Sequence, residues 1–294
     1  MDNIKKLLKF KGLFHNGHVI HHLESYEFFL SRRLRKKLKP IIVRKNAKST
    51  GLIQITSEHL WKLQFYPFNI SFWVAVNFFF GSLLFAVGAI PGSFGINNFI
   101  SSYNIGLVYF VGSLLFTLGG YLQFIETINR SSHSPRSHTR FFAVLHKSAA
   151  YLSSVTQLLG TIFFNISTWF AIQNEPSVLD ENIYIWSPDF LGSSCFVISA
   201  IFLLAESYHK RLKINFRYLP YWIIWINFYG CLLFLVSSIF SVYLSSAYSY
   251  DSQIELLIAN QALFFGSLLF MISSYLLFIE LNEKAIKLLH IHKN

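Results

Sequence analysis

The chain has 294 residues, of which 53% are hydrophobic and only 13% charged, and Phe alone occurs 32 times. A soluble domain carries about a quarter charged residues, so this composition excludes an ordinary water-solvated fold and points to lipid as the solvent. The net charge of +11 leaves anionic membrane surfaces and nucleic acid as the partners to weigh.

Residues 1–60 are mostly polar and basic. "IKKLLKFKGLF" mixes bases with apolar residues, as an interfacial segment does. In "HNGHVIHH", His15, His18 and His22 could share a helical face and suit zinc. No Cys or well-spaced carboxylate completes that set, and Gly17 weakens a continuous helix. A solvated or lipid-facing segment is therefore favoured, and no metal or cofactor is assigned. The run "RRLRKKLKPIIVRKNAK" is dense enough for nucleic acid, but beside membrane spans such runs more often meet anionic headgroups. Lipid is the expected partner and nucleic acid is not. A second copy of the chain and a cytoplasmic protein are the other partners left open. No secretory signal is expected, because the first long apolar segment follows this basic region.

No charged side chain occurs from Leu63 to Ile125, and similar runs cover Ser148–Asn174, Phe190–Ala205, Tyr218–Tyr250 and Leu256–Ile279. A helix crossing the hydrocarbon needs about 20 apolar residues. Six spans follow, near 70–91, 104–126, 149–172, 187–208, 220–245 and 256–281. Cys195 and Cys231 both fall inside spans, where they read as small packing residues. All 25 Lys and Arg lie before the first span, after the second, after the fourth or after the sixth, and the three other loops hold none. The positive-inside rule then makes this a multi-pass protein with both termini cytoplasmic. Which membrane it occupies is not encoded in this pattern.

Three stretches share one pattern: "VGSLLFTLGGYLQFIETINR", "LGSSCFVISAIFLLAESYHK" and "FGSLLFMISSYLLFIELNEK". Each starts from a glycine (Gly112, Gly192, Gly266) and has Phe at +4 and small residues at +7 and +8. Each then has Glu at +14 (Glu126, Glu206, Glu280) and a base at +18 (Arg130, Lys210, Lys284). The odd-numbered spans carry the first half of the pattern from Gly81, Gly160 and Gly230, with Phe85, Phe164 and Phe234 at +4. The unit is a two-span hairpin written three times, over 61–130, 139–210 and 217–285. Positions 0, +7 and +14 form one stripe on a helix, and small residues let helices approach closely in lipid. The Phe at +4 flanks that stripe and can fill the space a glycine opens on a neighbour. The fold class is an all-α bundle of six transmembrane helices in three hairpins, with a basic cytoplasmic N-terminal region.

"NFFFGSLLF" in the first span and "WSPDFLGSSCFVISA" around Gly192 give the chain a resemblance to the YrhK-like family of small membrane proteins, over roughly residues 61–285. The resemblance implies a two-span unit without an established activity. The chain departs from that family in its three copies and its long basic N-terminal region. No catalytic residue can be carried over.

The glutamates at +14 are the leading polar feature. As i, i+4 pairs with Arg130, Lys210 and Lys284, they would fix each helix end at the interface. Alternatively they form a pseudo-threefold carboxylate ring at an inner mouth that attracts cations. The midplane is poor in polar groups; Asn77, Gln157, Asn165 and Asn227 suit interhelical hydrogen bonds. No Walker loop, dinucleotide fingerprint, His-Glu-x-x-His or Gly-x-Ser-x-Gly occurs in the sequence. The expected function is a non-enzymatic integral membrane protein, a scaffold or sensor acting through lipid and cytoplasmic contacts. The alternative is a small-ion channel or transporter.

The topology is open to direct labelling. Cysteines at Ser101, Ser177 or Ser252 should react with an impermeant reagent added outside intact cells, and one at Ser132 should be protected. External labelling at Ser132 would overturn the orientation.

Overall fold

The computed structural model describes residues 6–11, 16–21, 25–29, 31–36, 38, 41–44, 52–59, 61–96, 101–129, 139–145, 148–173, 178–207, 212–214, 218–241 and 250–291. Its membrane part is entirely helical. Six helices are long and apolar enough to cross a bilayer, which makes this a multi-pass membrane protein. They are α2 (Ile70–Phe94), α3 (Ser102–Ile128), α4 (Ala149–Phe170), α6 (Ser187–Ser207), α7 (Leu219–Phe240) and α8 (Tyr250–Glu280). A short helix, α5 (Val178–Asp180), and a π-helical turn (Glu181–Trp186) lead into α6. Lipid offers the backbone no hydrogen-bond partner, so apolar chain closes its bonds within itself as helix. Asn69 caps α2 by accepting from Ser71 N at 2.9 Å, and Gly95 ends it in the left-handed conformation at φ 72°. Two boundaries differ from the hydropathy reading by five residues or more: α7 stops at Phe240, and α8 begins six residues early.

Each spanning helix packs against its neighbours in sequence, and α8 packs back against α2, so the six close into a ring. Phe72–Phe278 (5.4 Å) and Phe94–Phe264 (5.4 Å) secure the α2–α8 seam at its two ends. The ring is inverted relative to a soluble protein. Serines such as Ser82, Ser113, Ser193 and Ser267 are buried, while Trp73, Phe80, Leu118, Ile162 and Ile201 are exposed to the surrounding lipid. Expelling water gives no driving force here, so close packing between small residues holds the helices together.

Close backbone approaches recur between α2 and α3, between α4 and α6, and between α7 and α8. A Cβ on Gly81 would sit 3.1 Å from Gly112 O, and one on Gly112 would sit 3.2 Å from Gly81 O. Gly160 and Gly192 face each other in the same way, at 2.9 and 3.0 Å, and a Cβ on Gly230 would lie 3.3 Å from Gly266 O. Each pair is overlaid by rings at +4: Phe85 over Gly112, Phe196 over Gly160, Phe164 over Gly192, Phe270 over Gly230 and Phe234 over Gly266. One turn further on, Ser199 Oγ donates to Ser153 O (2.8 Å) and Ser273 Oγ to Ile223 O (3.0 Å). In the first hairpin Gly119 takes that place against Phe78.

The six +4 rings fill the bundle axis. Phe85, Phe164 and Phe234 form one triangle, with centroids 6.2, 6.0 and 6.1 Å apart. Phe116, Phe196 and Phe270 form a second, at 6.2, 5.9 and 5.8 Å. Hairpin partners join the triangles at 5.2, 5.0 and 4.9 Å. All six rings are buried.

Outside the spans the structure adds strands that the sequence reading did not include. β1 (Lys6–Lys11), β2 (Asn16–His21), β3 (Ser25–Phe29) and β4 (Ile41–Arg44) form an antiparallel meander. His18 therefore lies on a strand, where the i, i+4 spacing of a helix has no meaning; His15 and His22 lie outside the described residues. β5 (Leu52–His59) runs between β6 (Leu212–Ile214) and β7 (Glu283–Ile291). This sheet joins the N-terminal region, the loop after the fourth span and the C-terminal tail at one end of the bundle. Residues such as Ile41, Ile42 and Val43, and the alternation Ile53-Gln54-Ile55-Thr56, favour extended chain.

The seam gives a graded test. Gly160→Ala should destabilise by about 1–3 kcal/mol, because the new methyl would meet backbone at Gly192. Gly120→Ala, whose Cβ would meet only ordinary contacts at 3.6 Å or more, should be neutral or slightly stabilising. Unfolding in detergent micelles measures both, and equal losses would refute a glycine-dependent seam.

Candidate functional site

The even-numbered spans α3, α6 and α8 end near Glu126, Glu206 and Glu280. All three carboxylates are buried, at 5, 2 and 1% exposure. Of the bases assigned to them by i, i+4 spacing, Arg130 and Lys210 lie outside the described residues, and Lys284 lies in β7.

The partners that the structure provides come from the other end of the chain. A one-turn helix, α1 (Ser31–Arg35), lies against the glutamate end of the bundle. Arg32 makes a two-pronged contact with Glu280, donating from Nε to Oε1 (2.9 Å) and from Nη2 to Oε2 (2.8 Å). Lys36 Nζ donates to the same Oε2 at 2.6 Å. Arg35 Nη2 donates to Glu206 Oε2 at 3.1 Å. Arg32, Arg33, Arg35 and Lys36 are all buried, so this part of the basic run is turned into the protein and is not presented to headgroups. The spacing of Arg32, Arg35 and Lys36 is i, i+3, i+4, one face of a helix. That face was the available signal, but nothing local tied it to Glu206 or Glu280.

Glu126 accepts from Ser71 Oγ at 3.2 Å. It also borders a cavity of about 50 Å³ that Arg32, Arg35 and Lys36 line from the opposite side. That is room for a few waters. Gln123, Gln157, Ser273 and Ser274 supply polar walls, and Phe78 and Phe270 border the cavity toward the axis. Gln123 Nε2 donates to Gln157 Oε1 at 2.9 Å, and Asn165 Nδ2 donates to Thr117 Oγ1 at 2.8 Å. These are the interhelical bonds expected of midplane amides. Asn77 bonds its own helix at Trp73 O, and Asn227 lies 3.8 Å from Cys231 Sγ, also within one helix.

Burial acts against both bases on Glu280. For Arg32 the attraction of Glu280 outweighs it, and the guanidinium is held above its usual range. For Lys36 burial dominates, and the ammonium is held below the usual lysine range although Glu280 pulls the other way. The lysine is thus the less secure of the two contacts.

Among the described residues no group of three or more His, Cys, Asp or Glu is placed to hold a metal. No family model matches the chain, and neither a curated protein nor a solved structure matches it.

Removing one partner of a buried ion pair typically costs about 3–5 kcal/mol, because the other charge stays buried. Glu280→Gln, which strips two bases of their counter-charge, should therefore destabilise by about that amount. Glu126→Gln should cost only about 1 kcal/mol, the scale of one hydrogen bond. Thermal unfolding in micelles separates the two; equal small losses would mean that α1 does not depend on Glu280.

Proposed function

We propose that the protein is a non-enzymatic membrane scaffold or sensor, acting through lipid and cytoplasmic contacts. One observation carries this reading: six phenylalanine rings, one from each spanning helix, close the axis. A bundle sealed at its centre, with its own basic helix seated at one end, suits a protein that holds or reports a conformation. We read the three hairpins as an internal repeat of a YrhK-like unit and the glutamate end as cytoplasmic. The recurring glycine contacts and the one-sided distribution of bases support these assignments.

The alternative is a small-ion channel or transporter. It is favoured by a specific feature: three buried glutamates gather at one end, and one of them borders a polar cavity. In that reading α1 closes the mouth and the rings close the centre.

Cation flux into liposomes carrying the purified full-length protein decides between them. The scaffold reading expects no flux above empty vesicles. Robust flux, lost when Glu126, Glu206 and Glu280 are all changed to Gln, would establish the channel instead.

A further inference from the structure

We propose that α1 is an electrostatic latch on the glutamate end, released when an anionic membrane surface competes for its bases. The inference rests on the sensor reading above and names what would be sensed.

The first ground is that α1 cannot stand alone. Five residues form little more than one helical turn, and isolated helices shorter than about 12–15 residues are marginal in water. It sits in the connection between the paired strands β3 and β4, and ion pairs to Glu206 and Glu280 hold it against the bundle. The second ground is energetic balance. Attraction within a buried ion pair is largely offset by the cost of desolvating both charges, so docked and released states lie close together. Lys36, held below its usual range by burial, and Arg35, whose Nε has no hydrogen-bond partner among the described residues, are imperfectly satisfied. Both would gain hydration on release.

The third ground is position. The glutamates stand in the last turns of spanning helices, where a helix that crosses a bilayer meets its surface. A segment leaving them moves directly onto the membrane surface, where each Lys or Arg is attracted to anionic lipid. The same face (Arg32, Arg35, Lys36) that meets the glutamates would meet the headgroups, so the two engagements exclude each other. Release would open the cavity behind α1 to water, expose Ser274 on its wall and leave the carboxylates facing solvent.

Ser274→Cys, in full-length protein with Cys195→Ser and Cys231→Ala, reports this directly through its rate of reaction with a water-soluble maleimide. The protein is placed in vesicles of phosphatidylcholine alone or of an equal mixture of phosphatidylcholine and phosphatidylserine. The latch expects slow labelling in the neutral vesicles and a rise of about tenfold in the anionic ones, corresponding to about 1.4 kcal/mol. High salt should reverse the rise by screening the surface. Soluble glycerophosphoserine should not reproduce it; if it does, a free anion rather than a membrane surface is the trigger, and the proposal is overturned. Changing Arg32, Arg35 and Lys36 together to Gln should give fast, lipid-independent labelling. Glu206→Gln, which weakens the contact with Arg35, should raise labelling in neutral vesicles and serves where the triple change fails to fold. Equal labelling of the parent in both vesicles would overturn the latch while leaving the flux result, and the scaffold reading, intact.

Discussion

The contact on which the rest of the structure depends is the meeting of glycine with glycine inside each hairpin. Two helices whose backbones touch at Gly81–Gly112, Gly160–Gly192 or Gly230–Gly266 have no room for a side chain between them. The phenylalanine four residues on must therefore lie over the partner's glycine or turn inward. Five of the six do both, because the ring that covers the glycine also reaches the axis. Six such rings, contributed one per helix, meet as two triangles. Dispersion between close-packed atoms, individually small and collectively large, is what a bundle in lipid has in place of the hydrophobic effect. Spacing, axis and ring closure thus share one cause.

A second constraint acts at one end. Three carboxylates carried on the last turns of α3, α6 and α8 are buried. A buried charge without a partner is strongly unfavourable, and the bundle does not itself provide the bases described at this site. α1 brings them. The chain thereby uses a short, locally unstable helix to satisfy a charge requirement created by the distant spans. An element held this way is sensitive to anything that offers its bases another partner, which is why the glutamate end, rather than the sealed centre, is where a response is sought.

Much of the membrane part was legible in the sequence. Charge-free runs located the six spans, because lipid selects against ionised groups over a length set by bilayer thickness. The interval from glycine to phenylalanine was legible too, since a helix converts sequence spacing into angular position. The N-terminal region was less so. Read for helical and interfacial patterns, it forms strands instead, since β-branched and alternating residues such as Ile41-Ile42-Val43 pair only when other segments come alongside. Two of the partners of β5, namely β6 and β7, come from beyond the fourth and sixth spans.

By itself, then, the sequence determined the spans, the small-residue seam and the residues at the helix ends. Each of these depends on neighbours within a few turns or on the solvent, and both are written locally. Only the tertiary structure decided that the ring closes between α2 and α8, that the phenylalanines meet on the axis and that Arg32 and Lys36 answer Glu280. Arg32 and Glu280 are 248 positions apart, and local spacing favoured Lys284 instead. A carboxylate's attraction acts through space and is strongest where water is excluded, so its partner is set by which groups the fold buries together.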